Sequence, residues 1–160
     1  PVEMPGGDRE AAFRTANIAP SATPGAYTFV CQHLTPDVVW RTDYLDQPNA
    51  VVGVKEVVGV ADDLDAVARA WEAIAPGNAT IDGDTAQIDF GNAAVTFLTP
   101  DAFHDRFGTQ CAAPTAMGAL VFASSDLDAT RRALAEAGIE GSLIAGPEAA
   151  AGITMAFVAA

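Results

Sequence analysis

The stretch Val54 to Ala75, VKEVVGVADDLDAVARAWEAIA, returns 63 positions later in changed form as Met117 to Gly138, MGALVFASSDLDATRRALAEAG. Such a recurrence constrains the fold strongly, because one supersecondary unit must then be built twice and packed against itself. Seven of the 22 positions are identical: Val58 with Val121, Asp63-Leu64-Asp65-Ala66 with Asp126-Leu127-Asp128-Ala129, and Arg69-Ala70 with Arg132-Ala133. Most of them fall at a helix start, where an acidic side chain caps orphan amides and the leucine behind it opens the buried stripe. In the first copy Leu64, Val67, Ala68, Trp71, Ile74 and Ala75 follow the three-and-four spacing of one helix face. The apolar runs in front, Val57 to Ala61 and Leu120 to Ala123, have the length of short strands.

Around these copies the chain reads as further strands and turns. Ala11 to Ile18 and Ala26 to Leu34 are strands, the second with Tyr27, Phe29, Cys31 and His33 on one side. Val38-Val39-Trp40 and Tyr44-Leu45 read as a short turn or helix over a core edge, and the spacing places Trp40 and Trp71 in the core. Pro76-Gly77-Asn78 ends the first helix. Thr85 to Phe90 and Ala93 to Leu98 form a hairpin at Gly91-Asn92, with Ala86, Ile88 and Phe90 facing inward. Thr99-Pro100-Asp101 opens a short helix to Phe107, and Gly141 to Ile144 and Gly152 to Val158 are the last strands. In the final strand Ile153, Met155 and Phe157 alternate against Thr154 and Ala156. Each unit reads β-α-β-β with room for a third strand. The class is α+β with tandem βαβββ units in curved mixed sheets: 51–116 is one unit and 117–160 a second. Residues 1–50, two strands and a connection, look like the tail of an incomplete preceding unit, so the chain is expected to be a C-terminal portion of something longer.

Charge and composition remove several functions. The formal charge is −13 and Lys55 is the only lysine, so a nucleic-acid groove or an anionic membrane surface has no cation cluster to use. No run approaches the roughly 18 apolar residues of a membrane span, no basic-then-apolar leader opens the chain, and a cytoplasmic protein is expected. Cys31 and Cys111 have no metal or redox spacing. The Asp62-Asp63-Asp65 cluster lacks the glycine and distal glutamate of a calcium loop, so it reads as capping, and His104 sits on a solvated helix face. Walker, dinucleotide and Ser-His-Asp patterns are absent.

The tandem βαβββ pattern with its strand-Asp-Leu-Asp-Ala-helix junction resembles the vicinal oxygen chelate superfamily of glyoxalase I, extradiol dioxygenases and bleomycin-resistance proteins. The string Phe29-Val30-Cys31-Gln32-His33-Leu34-Thr35-Pro36-Asp37-Val38-Val39-Trp40, with Pro48-Asn49 and Lys55-Glu56-Val57-Val58 downstream, resembles the glyoxalase-like domain proteins of bacteria. The resemblance implies a cup lined by sheet that takes a small oxygen-bearing metabolite. It also implies one divalent metal, zinc, iron, manganese or nickel, in lyase, isomerase or dioxygenase chemistry.

Carried over position by position, that implied ligand set is thin. The opening-strand ligand, seven residues before the junction aspartate, falls on Glu56 in one unit and Ala119 in the other. The last-strand ligand falls on Thr96 or Phe97 and on Ala156 or Phe157. His33 and Glu56 remain as metal candidates, with Tyr27, Phe29 and Gln32 as substrate-contact candidates; no catalytic residue is identified. The same residues fit local roles, His33 bonding to a loop carbonyl and Glu56 pairing with Lys55 or an arginine. Two readings therefore stay open: metal-assisted chemistry, or a non-catalytic module with a degenerate metal site that binds or sequesters a small molecule or serves oligomerisation. A homodimer, or pairing with the missing N-terminal half, is expected because sheets with open edges seek partners.

Overall fold

The computed structural model describes residues 1–4, 6–42, 45–75, 77–111, 113 and 115–160; Tyr44 and Pro76, both given a place by the sequence, lie outside them. A seven-stranded sheet carries most of the chain. It contains β3 (Val51–Val60), β4 (Ala79–Asp82), β5 (Thr85–Asp89), β6 (Ala94–Leu98), β7 (Ala116–Ser124), β8 (Ile144–Ala145) and β9 (Thr154–Ala159), in the order β4-β5-β6-β3-β7-β9-β8. β1 (Phe13–Asn17) and β2 (Phe29–His33) form a separate antiparallel hairpin, followed by the single turn α1 (Pro36–Val39). The remaining helices are α2 (Leu64–Glu72), α3 (Pro100–Phe107) and α4 (Leu127–Glu136).

β3 sits at the middle of this sheet, parallel to β6 and antiparallel to β7. Between β3 and β6 the chain passes through α2 and the antiparallel strands β4 and β5; between β7 and β9, also parallel, it passes through α4 and the two-residue β8. Both long helices start on the repeated aspartate. Asp63 accepts from the Ala66 N–H at 2.9 Å, and Asp126 accepts from Asp128 and Ala129 at 2.9 and 3.0 Å. Those two backbone donors hold the Asp126 carboxyl below the usual carboxylate range, as expected for an anion at a helix start.

Two cores lie on opposite faces of the sheet. On one, Leu64, Val67, Ala68 and Trp71 of α2 pack on Ala86, Ile88 and Phe97. On the other, Phe103 and Phe107 of α3 pack on Val58, Val60, Leu98, Ala119, Val121 and Ala156. Thr99 caps α3 by accepting from Ala102 N–H at 3.3 Å, and Gly108 ends it in the left-handed conformation, φ 68°. Close approach explains two glycines. A Cβ at Gly59 would stand 2.8 Å from the Phe97 ring, and one at Gly118 would stand 2.8 Å from Phe103.

Several expectations change. The opening strands are longer than their apolar runs: in β3, pairing on both edges holds the polar Glu56 extended, and pairing with β7 carries the strand on past Lys55 to Val51. Trp40 is exposed, stacked on His33 rather than placed in the core, whereas Trp71 is buried as expected. Phe90 is also exposed; it lies beyond the last β5 pairing, where the turn at Gly91 redirects the chain. The alternation expected in β9 is present, with Thr154 and Ala156 on the buried side, where they register with Ala119 and Val121 on the α3 face. β1 is exposed along its whole length and β2 all but its end, and the hairpin has few contacts with any other element.

Gly59→Ala is expected to lower stability by about 1–3 kcal/mol through overpacking against Phe97. Urea denaturation should show a lower midpoint with unchanged slope, and adding Phe97→Leu should recover part of the loss. Additive losses in the double variant would show that the ring contact is not the cause.

Candidate functional site

Glu56 projects from the α3 face of β3, in register with Ala94 of β6 and Val121 of β7. These small or short neighbours leave room above the sheet, and α3 fills part of it. Phe103 and Phe107 anchor α3 in the core, which carries Arg106 over the carboxylate. Arg106 Nη1 donates to Glu56 Oε1 at 3.1 Å and Nη2 donates to Oε2 at 2.5 Å, a two-pronged pair of a largely buried carboxylate with a partly exposed guanidinium. The guanidinium also lies 4.9 Å from the Phe107 ring centroid.

Burial pushes the Glu56 carboxyl up. Hydrogen bonds from Arg106, the nearby Thr96 hydroxyl, and the charges of Arg106 and Lys55 outweigh that effect and hold it below the usual glutamate range. Thr96 Oγ1 is itself buried and makes no hydrogen bond of ordinary geometry, so most of the lowering belongs to Arg106.

Beside the pair opens a cleft of about 570 Å³. Lys55, Glu56, Gln87, Asp89, Asn92 and Arg106 form its polar lining, with Val121 and Val158 among the apolar residues. Lys55 reaches it through a break in the ladder: Val54 pairs with Phe122 and Glu56 with Val121, which leaves Lys55 as the extra residue of a β-bulge.

The other sequence candidates lie elsewhere. His33 is in the hairpin, its ring stacked on Trp40 at 5.2 Å and edge-on to Phe13 at 5.0 Å, with a buried Nδ1 that lacks a partner. Tyr27 is exposed and donates to Asn17 Oδ1 at 3.0 Å; Phe29 lies 6.3 Å from its ring, and Gln32 is exposed on β2. Tyr27, Phe29, Gln32 and His33 thus share one hairpin, and none of them lines the Glu56 cleft. Arg106, Gln87, Asp89 and Asn92 were not singled out as site residues from sequence. Their one signal was the Gly91-Asn92 turn, which sets Asp89 and Asn92 at a hairpin end.

A divalent metal would need several oxygen, nitrogen or sulfur donors converging on one point. Both Glu56 oxygens are engaged by a guanidinium, Ala94 and Val121 offer no donor, and a cation placed there would face Arg106. Among the described residues no group of three or more His, Cys, Asp or Glu could hold a metal ion. The residues around Glu56 do not fit a metal.

Removing either partner should expose the energetics of the pair. Arg106→Leu leaves a largely buried carboxylate unpaired and is expected to lose about 1–3 kcal/mol. Because the folded carboxyl ionises at lower pH than an unfolded one, its stabilisation is complete above the unfolded value of about 4.3 and is lost as pH falls through the folded value. The stability advantage over Glu56→Gln, measured by urea denaturation, should therefore be full at pH 7 and shrink below about pH 4. An advantage that stays constant down to pH 3 would contradict this.

Comparison with known proteins agrees with this architecture. Residues 1–75 match the family model described as a glyoxalase-like domain. Among solved structures, methylmalonyl-CoA epimerase from Mycobacterium tuberculosis superposes with a TM-score of 0.52 at 18% identity, over 74% of this chain and 95% of that one. No curated protein matches the chain. No helix among the described residues is long and apolar enough to cross a membrane. The chain has a mixed α+β fold similar to that of this epimerase, and its first 75 residues match the glyoxalase-like domain.

Proposed function

We propose that this protein is a glyoxalase-like binding module that takes a small oxygen-bearing metabolite in the cleft beside Glu56 and Arg106, without a metal. The observation that carries this is the two-pronged pair itself. The one carboxylate at an implied ligand position is bound to an arginine of the same chain. The three other implied positions hold alanine or threonine or an aromatic ring, and Ala119 and Ala156 are packed into the apolar core. What remains is an open cleft with hydrogen-bonding walls and an apolar floor, which suits recognition of a polar small molecule.

Two further proposals go with it. The halves β3–α2–β6 and β7–α4–β9 are copies of one building block; in support, the pairs Glu56 with Val121 and Val58 with Ala119 exchange places when each residue is moved by the repeat of 63. The protein also assembles as a homodimer, because a two-stranded hairpin exposed on both sides is marginal by itself.

Metal analysis of untagged protein tests the main reading. No stoichiometric transition metal is expected, and calorimetric binding of small hydroxy or keto compounds should be unchanged by a chelator. A stoichiometric metal that disappears in both His33→Ala and Glu56→Ala would establish metal-dependent chemistry instead. Light scattering should give the mass of two chains, and a single-chain mass at every concentration would remove the dimer.

A further inference from the structure

The cleft has more free donors than free acceptors. Both oxygens of Glu56 are taken by Arg106, and Asp89 Oδ1 accepts from the Gly91 N–H at 2.6 Å. On the donor side, Arg106 spends two of its five N–H groups on Glu56. The side chains of Lys55, Gln87 and Asn92 donate to no protein group among the described residues.

The bulge adds a second, independent observation. In a regular strand successive side chains point to opposite faces, so Lys55 and Glu56 would be divided by the sheet. The extra residue breaks that alternation, and both line one cleft. Bulges re-aim side chains in this way beside functional sites. The chain's only lysine is thus brought to the rim of a cleft whose wall holds a guanidinium already oriented by a carboxylate.

From these placements we infer that the occupant of the cleft is a small carboxylate, gripped by the Lys55 ammonium and the outward N–H groups of Arg106. This rests on the metal-free binding reading above and names its ligand class. Glu56 is a positioning residue: it fixes the plane of the guanidinium, whose fork matches the two oxygens of a carboxylate. Glu56 also neutralises Arg106, so Lys55 supplies the unpaired positive charge at the rim. Asp89 opposes that charge, but its hydrogen bond to the Gly91 amide holds one of its oxygens in the turn. The net charge of −13 repels anions at long range, so recognition must come from contact within the cleft.

The test is a titration followed by amide NMR on the intact protein, using glycolate and succinate against their neutral isosteres glycolamide and succinamide. A carboxylate should shift the amides of Lys55, Gln87 and Asn92, with the matching amide at least tenfold weaker. Lys55→Met, an exposed change that should fold normally, is expected to weaken carboxylate binding at least tenfold, and Lys55→Arg to retain most of it. Arg106→Lys keeps a cation against Glu56 but loses the fork, and should also bind more weakly. Equal binding of acids and amides at the cleft, or acid binding unaffected by Lys55→Met, would overturn the carboxylate inference and leave the binding reading standing. Shifts confined to residues outside the cleft would overturn the inference. No shift with any of the four compounds would overturn both.

Discussion

Everything in the sheet is referred to β3, which pairs on both edges and is covered on both faces over its second half. That is a demanding position. The strand must be extended, apolar on two sides and unhindered where large rings cross it. Val57, Val58 and Val60 meet the first two requirements. Gly59 meets the third, since only a residue without a side chain lets Phe97 cross at that height. Because β6 and β7 both take their register from β3, the two cores on its faces are fixed by the same ladder.

The first half of β3 is where the fold departs from a simple strand. Past Val57 toward the N-terminus the strand is bulged, and Glu56 and Lys55 leave the core for the cleft, while Val52 and Val54 beyond them are exposed. α3 depends on the second half and acts on the first. Its two phenylalanines are held in the apolar layer, and one turn of helix places Arg106 above a carboxylate that the sheet alone would leave costly to bury. Structure and site are coupled through that short helix, so the cleft has one wall whose position is set by aromatic packing.

Where local chemistry decided the outcome, it was legible in the chain. The acidic caps at Asp63 and Asp126, the stripe of α2, the turn at Gly91 and the threonine-proline start of α3 all depend on neighbours within a few residues. What escaped depends on partners far away in sequence. Arg106 sits in a helix whose composition suggests a solvated face, and its bond to Glu56 spans 50 residues. The two polar residues at 55 and 56 hid the true length of β3, and the bulge at Lys55 has no composition of its own. Trp40 shows the opposite error: a large ring suggests a core, but it ends the single turn α1 and is exposed, stacked on His33 of the hairpin.

That hairpin has a consequence for how the molecule comes apart. It meets the rest through the loop between its strands, where Trp71 Nε1 donates to Pro24 O at 3.3 Å and Ala26 packs against the α2 core, while the strands themselves are exposed. The exposed strands of such a segment should open more readily than the seven-stranded sheet, giving two levels of protection against solvent exchange. The amides of the buried half of β3 should then be released by global unfolding, and those of β1 and β2 by a smaller, local fluctuation.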